Sequence, residues 1–245
     1  MDRLLYVAMT GAKHTQLRQA TVAHNLANAS TTGFRAELAA FRAVPALGQG
    51  YATRAFAVEQ TTGADLSSGP FQQTGNDLDV SIDGRGWIAV QSATGEAYTR
   101  NGQFAVDSTG LLKTVSGLVV QGETGPLLIP ENTRPSIAPD GTVSAVSLDN
   151  PAESNEIGRI KLVNPADTDL QKGNDGLFRL RGGDAAQADA AVKLINGGLE
   201  GSNVNTIDQL TAMIATQRQY DLQVRMMQAA DQNARAASQL LQMNS

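Results

Sequence analysis

Few residues in this sequence have the type and spacing that chemistry requires. The two histidines, His14 and His24, stand ten residues apart in a stretch that reads as helix. That places them about 15 Å apart along the axis and on different faces, so they cannot share a metal ion or a proton relay. The run Asp77-Leu78-Asp79-Val80-Ser81-Ile82-Asp83-Gly84 has alternating carboxylates like a calcium loop, but the register fails. Counted from Asp77, the positions that need glycine and a bidentate glutamate hold Ile82 and Ile88. Asp79 and Asp83 could be drawn into a glycosidase-like carboxylate pair, yet nothing in the sequence supplies the apolar pocket that would raise one of their pKa values. Gly84-Arg85-Gly86 lacks the third glycine and the following helix of a dinucleotide loop, and neither a GxxxxGK[ST] nor a GxSxG segment occurs. Asn28-Ala29-Ser30 matches a glycosylation acceptor only at chance level. The expectation is a chain with no catalytic, cofactor-binding or metal-ligating residues.

The elements that would have to position such residues point the same way. Residues 3 to about 28 contain no proline and begin after Asp2, a suitable N-cap. They carry a thin apolar-leaning seam of Leu5, Met9, Ala12, Gln16, Gln19, Ala23 and Leu26, which predicts a helix. Near the other end a 3,4 spacing runs through Leu210, Met213, Gln217, Tyr220, Val224, Met227, Asp231, Ala234, Ser238 and Leu241. Its start carries a Thr206 to Gln209 capping box, with Asp208 in the first turn. This periodicity fits a heptad seam, and it fits equally a surface helix packed on its own domain.

Between the two helices the period changes to 2. Leu78, Val80 and Ile82 alternate with polar neighbours, the pattern of a half-exposed strand. Trp87 to Val90, Tyr98, Phe104 to Val106, Leu118 to Val120, Val143 to Val146 and Ile160 to Val163 follow, punctuated by Thr94-Gly95, Asn101-Gly102, Thr109-Gly110, Asp140-Gly141 and Asp175-Gly176. Short strands at this spacing predict an all-β middle domain. The stretches 36–75 and 186–199 are broken by proline and glycine and read as extended connectors.

Net charge is −5, which leaves no basic field for nucleic acid or an anionic membrane. No segment approaches the roughly 18 apolar residues of a membrane span, so no membrane insertion is expected. The run Leu4 to Met9 is too short for a secretory signal. The absence of cysteine removes thiolate and disulfide chemistry.

The two ends carry a resemblance. His24-Asn25-Leu26-Ala27-Asn28-Ala29-Ser30-Thr31-Thr32-Gly33-Phe34-Arg35 resembles the NNxAN..T.GFK signature of the flagellar rod and hook axial proteins, with His24 and Arg35 in place of Asn and Lys. Leu199-Glu200-Gly201-Ser202-Asn203-Val204-Asn205, followed by Met213-Ile214-Ala215-Thr216-Gln217-Arg218-Gln219-Tyr220, is similar to the second signature of that family. Asp79-Val80, Gly84-Arg85-Gly86-Trp87 and Tyr98-Thr99-Arg100-Asn101-Gly102 are similar to its β domain. Within the family, Gly33-Phe34-Arg35-Ala36 leading to Phe41-Arg42-Ala43-Val44-Pro45 resembles the proximal-rod members and lacks the extra segment of the distal-rod ones.

The resemblance implies a mixed α and β fold in which N- and C-terminal helices (1–35 and 200–245) pair as a coiled coil in a tubular assembly. The β-rich domain (76–185) would lie outside. It implies an assembly interface of Asn25, Leu26, Asn28, Gly33, Phe34, Leu210, Met213, Gln217, Tyr220, Val224, Met227 and Leu241. Asn25, Asn28, Gly33 and Phe34 would set the helix end and the turn into the β region. Other proximal and distal rod subunits and the flagellar type III export apparatus are the implied partners, with export into a periplasmic rod needing no cleaved signal. The implied function is that of a structural subunit of the proximal rod. The competing readings are a distal-rod or other axial subunit, or a periplasmic carbohydrate-binding β protein.

Overall fold

A computed structural model describes residues 2–45, 55–148 and 154–243. Helix α1 (Asp2–Ala27) opens the chain. Strands β1 (Glu37–Pro45), β2 (Ala55–Ala64), β3 (Phe71–Gln73), β4 (Val80–Asp83), β5 (Trp87–Ser92) and β6 (Gly95–Thr99) follow. They continue through β7 (Phe104–Val106), β8 (Leu112–Thr114), β9 (Val119–Val120), β10 (Thr133–Ile137), β11 (Thr142–Ser147) and β12 (Ser154–Arg159). Last come β13 (Leu162–Val163), β14 (Leu170–Lys172), β15 (Phe178–Leu180), β16 (Lys193–Asn196) and β17 (Gly198–Glu200), before helix α2 (Thr206–Met243). The chain thus has terminal helices around a β-rich middle.

Two compact units divide it. One holds α1, the β1–β2 hairpin and α2; the other holds Ala29–Ala36 and Asp65–Asn203. In the helical unit α1 and α2 pack together, and Gln19 Nε2 donates to Gln217 Oε1 at 3.2 Å while Gly11 lies against Gln223. Rising numbers on α1 meet falling numbers on α2, so the pair is antiparallel. The buried face of α1 is Ala8, Ala12, Thr15, Val22 and Asn25, rotated away from the expected seam, of which only Ala12 is buried. Helix axes approach most closely where side chains are small, and the long Leu5 and Met9 therefore stay exposed. The cap of α2 also differs from expectation. Asn205 Oδ1 accepts from the Ile207 N–H at 3.0 Å and the Asp208 N–H at 3.4 Å, so the N-cap is Asn205 and Thr206 is the first helical residue.

The β unit is antiparallel throughout its described pairings. Its main sheet runs β14-β15-β6-β5-β9-β8-β7, with β13 also on β5, and a meander β10-β11-β12 and the pairs β16-β4 and β17-β3 complete it. Ile88, Val90, Leu112, Val120, Val143 and Ile160 are fully enclosed in one core, to which β4 adds Val80 and Ile82. Part of the expected polar face is buried as well, at Asp79 and Ser81, while Asp77 and Asp83 are exposed. Asp79 accepts from the Thr74 hydroxyl at 2.7 Å and from Asn76 Nδ2 at 3.2 Å, and Ser81 is covered by the pairing of β16 with β4. The stretches expected as connectors contain the β1–β2 hairpin, β3, β16 and most of β17. Among the described residues no helix is long and apolar enough to cross a membrane.

Leu112 has no exposed surface and sits at the centre of this core. Leu112→Ala should destabilise the β unit by roughly 2–5 kcal/mol, read as a lower urea midpoint for β-sheet loss by circular dichroism. An unchanged midpoint would mean that the core is not organised around β8.

Candidate assembly interface

At the end of α1 the first signature makes specific bonds. Asn25 is buried; its amide donates to the Glu37 carbonyl at 2.9 Å and its Oδ1 accepts the Glu37 N–H at 2.8 Å. The side chain thus imitates a strand neighbour and fixes the start of β1 on the helix. His24 Nδ1 lies 3.2 Å from the Glu37 carboxylate. Asn28 Nδ2 donates to the His24 carbonyl at 2.9 Å, which also accepts the Asn28 backbone N–H at 3.2 Å.

The β unit holds Gly33-Phe34-Arg35. Gly33 has a φ of 68°, and a Cβ there would strike the Arg100 backbone, so both conformation and space demand glycine. Its N–H donates to the Glu200 carbonyl at 2.8 Å. Phe34 is buried with the Lys172 ammonium 4.0 Å from its ring centroid. Lys172 Nζ also donates to the Arg35 carbonyl at 2.9 Å.

Arg35 itself is enclosed with Glu200 and Arg100. Arg35 Nη2 donates to Glu200 Oε1 at 2.6 Å and Arg100 Nη1 to Oε2 at 3.0 Å, with side-chain exposures of 0%, 3% and 4% for Arg35, Glu200 and Arg100. The Gly69 N–H donates to Oε1 at 2.9 Å. Burial is the largest influence on the Arg100 guanidinium and pulls its pKa down; Glu200 opposes it. Asn203 closes the knot, accepting from the Ala36 N–H at 2.7 Å and donating to the Asp65 carbonyl at 2.9 Å.

In the helical unit Met213, Tyr220, Val224, Met227 and Leu26 are half-buried, Leu210 and Gln217 are exposed, and the Leu241 side chain lies outside the described residues. Among the described side chains of α2 the most enclosed is Thr216, absent from the expected seam. Both hydroxyls at the packed faces are absorbed by the helix backbone: Thr15 donates to the Gly11 carbonyl and Thr216 to that of Ala212, each at 2.9 Å. Sequence reasoning also missed the Arg35–Glu200–Arg100 triad. Its only trace was that Arg35 and Glu200 fall inside the two signature stretches and Arg100 inside a stretch similar to the family's β domain. Among the described residues no group of His, Cys, Asp and Glu is arranged to hold a metal ion.

Three family models match the chain: "Flagella basal body rod protein" over residues 5–35, "Flagellar hook protein FlgE/F/G D1 domain" over 81–145, and "Flagellar basal body rod FlgEFG protein C-terminal" over 195–240. The flagellar basal-body rod protein FlgF of Escherichia coli K12 is 44% identical over the full length of both chains. The chain belongs to the flagellar basal-body rod protein FlgF family. The FlgF protein of Salmonella typhimurium LT2 is 43% identical, again over both full lengths. The rod protein FlgG of Bacillus subtilis 168 is 32% identical over 95% of this chain and 96% of its own. As a FlgF-family member this rod protein is a structural subunit of the flagellar basal body. The carbohydrate-binding reading is not favoured.

Two predictions follow from the charges of this rod protein. Glu200→Gln leaves two buried guanidinium groups without a counter-charge and should destabilise the β unit by roughly 3–5 kcal/mol, measured by chemical denaturation; a loss near zero would show that the triad carries no net stabilisation. The second concerns acid. The Asp65 carboxyl is held below its ordinary pKa chiefly by the Ser67 N–H, Asp140 by the Thr142 N–H and Asp175 by Arg179. A carboxylate whose folded pKa is depressed gives stability that is present above the unfolded value of about 3.9 and disappears as pH falls through the folded value. The melting temperature of the β unit should therefore be level from neutral pH to about 5 and fall below about 4. A melting temperature that rises on acidification would contradict this assignment.

Proposed function

We propose that this subunit polymerises through α1 and α2 as a coiled coil in the proximal rod, with the β-rich domain turned outward and the rod crossing the periplasm. The observation that carries this reading is the apolar surface left on both helices. Leu5, Tyr6, Met9 and Leu17 on α1 and Ile207, Leu210, Ile214, Leu222 and Met226 on α2 are exposed. Clustered large exposed apolar residues mark sites of association. On α2 they recur at 3 and 4 residue intervals from Ile207 to Ile214, on a face other than that of Thr216. One face serves the antiparallel pair within the subunit, and the other is available to helices of neighbouring subunits.

On this reading the neighbours are other proximal and distal rod subunits. Leu210, Gln217 and the heptad residues Met213, Tyr220, Val224 and Met227 contribute at the seam, and Asn25, Asn28, Gly33 and Phe34 set the exit from the helix. Delivery proceeds through the flagellar type III export apparatus. Head-to-tail contacts between unlike surfaces generate open helical arrays when the rotation does not close on itself, as a tubular rod requires. No step in this role calls for catalysis.

The two faces of α2 separate in a mutational test. Ile214→Asp with Leu222→Asp falls on exposed positions, 56% and 59% accessible, and should shift subunit stability by no more than about 0.5 kcal/mol per site while abolishing swimming in a complemented null strain. Val224→Asp, at a half-buried position, should lower the helical content of the free subunit as well. Normal swimming by the double variant would remove the exposed stripe from the assembly surface.

A further inference from the structure

The centre of the β unit contains more positive than negative charge. Arg35 and Arg100 share the single carboxylate of Glu200, and all three side chains are nearly inaccessible. Each guanidinium carries five N–H donors. Among the described residues Arg35 Nε and Nη1 and Arg100 Nε have no hydrogen-bond acceptor. Asp65 influences the pair only through space, and its carboxylate is committed to the Ser67 N–H. A buried charge in excess is unfavourable unless an opposite charge comes within reach. Burial first, and Arg35 in addition, lower the pKa of Arg100 against the opposing pull of Glu200.

Arg100 is not sealed off by protein on every side. It forms part of the wall of a cleft of about 380 Å³, also lined by Ser67, Ser68, Arg85, Trp87 and Asn164. Beside apolar surface from Leu66 and Trp87, the cleft presents hydroxyl, amide and guanidinium donors, and the one acidic residue of its lining is Asp167. Asp167 is paired with Arg85, whose side chain is 77% exposed. The Arg100 guanidinium carbon lies 5.4 Å from the Trp87 ring centroid, and Arg100 Nη2 donates to the Gly84 carbonyl at 2.7 Å. Arg100 is thereby held in place as a fixed charge behind the cleft, while Arg85 stands at its entrance.

We propose that this cleft binds a small oxyanion of carboxylate or phosphate size, with Arg85 exchanging its contact with Asp167 for the anion and Arg100 supplying the fixed field. Ser67, Ser68 and Asn164 provide neutral donors beside it. Asp167 competes with the ligand for Arg85, so the site favours a compact anion over a weakly charged one. The carboxylate form is available on acidic side chains of a protein neighbour, and the phosphate form in solution.

Trp87 is the only tryptophan of the chain, so its indole N–H resonance in the full-length subunit reports on this cleft without ambiguity. The titrants are sodium acetate, N-acetyl-glutamate amide and inorganic phosphate, each at constant ionic strength made up with chloride. A saturable shift of the indole resonance is expected for at least one of them. Asp167→Asn should tighten that binding about threefold and Arg85→Gln weaken it about tenfold. Both substitutions sit at the exposed rim and leave the buried triad in place. Response to acetate and the glutamate derivative but not to phosphate assigns the site to protein carboxylates; response to phosphate alone assigns it to the free ion. A shift that grows linearly without saturation, or equal responses in wild type, Arg85→Gln and Asp167→Asn, would overturn the proposal.

Discussion

The β unit depends on one carboxylate. Glu200 lies at the end of β17 and is enclosed between two guanidinium groups, one from Arg35 near the start of the chain and one from Arg100 in the middle. A carboxylate in such surroundings is tolerated only with its partners in position, because the desolvation of each ion is of the same order as the attraction between them. Three distant parts of the sequence are thereby tied to a single point. The β strands between them form a sheet with its own core, but the segments Ala29–Ala36 and Leu199–Asn203 belong to that unit as fully as the strands do.

Neutral contacts around the carboxylate make the arrangement specific. Ion pairing alone would accept a range of backbone positions, since charge attraction falls off slowly with distance. The backbone N–H groups of Gly33 and Gly69 narrow that range, one reaching the carbonyl and the other the side chain of Glu200. A Cβ on Gly69 would collide with the Gly201 carbonyl, so the two chain segments approach only where a side chain is missing. Asn203 then uses both ends of its amide to join Ala36 to Asp65 and Ser67. The two signature stretches hold together through such directional bonds, which explains the small, amide-bearing and charged residues set among their apolar ones.

What the sequence disclosed follows from the range of the forces involved. Turn dipeptides and period-2 runs act over a few residues, and the strands at Trp87 to Val90, Phe104 to Val106 and Val143 to Val146 stand where those signals put them. The helices were legible for the same reason, through their lack of proline and their 3,4 spacing. The packed face of α1 was not, because periodicity weighs large apolar side chains, whereas this helix packs through Ala8, Ala12 and Thr15. Burial of Asp79 and Ser81 was hidden too: an alternating strand reads as half-exposed until a second strand, here β16, is known to cover it. Of the site, Asn25, Asn28, Gly33 and Phe34 were visible through their signature. The meeting of Arg35, Arg100 and Glu200 spans up to 165 residues, and no local pattern encodes a contact of that separation.

The rotated face of α1 bears on how one helix pair can serve both a free subunit and a polymer. Had Leu5, Met9 and Leu17 packed against α2, the pair would bury its largest side chains internally and present a polar surface. Such a subunit would be more stable and would have less apolar area left for neighbours. Packing through small residues gives up part of that internal burial, at about 25 cal/mol for each Å² of apolar surface, and keeps the large side chains on the outside. The same division appears on α2, where Thr216 is enclosed while Ile207, Ile214 and Leu222 are exposed. Close approach of the two backbones and a large apolar exterior are therefore obtained from a single choice of residue size at each face. On the proposed reading of α1 and α2 as the assembly surface, the stability withheld from the monomer is what remains available for association.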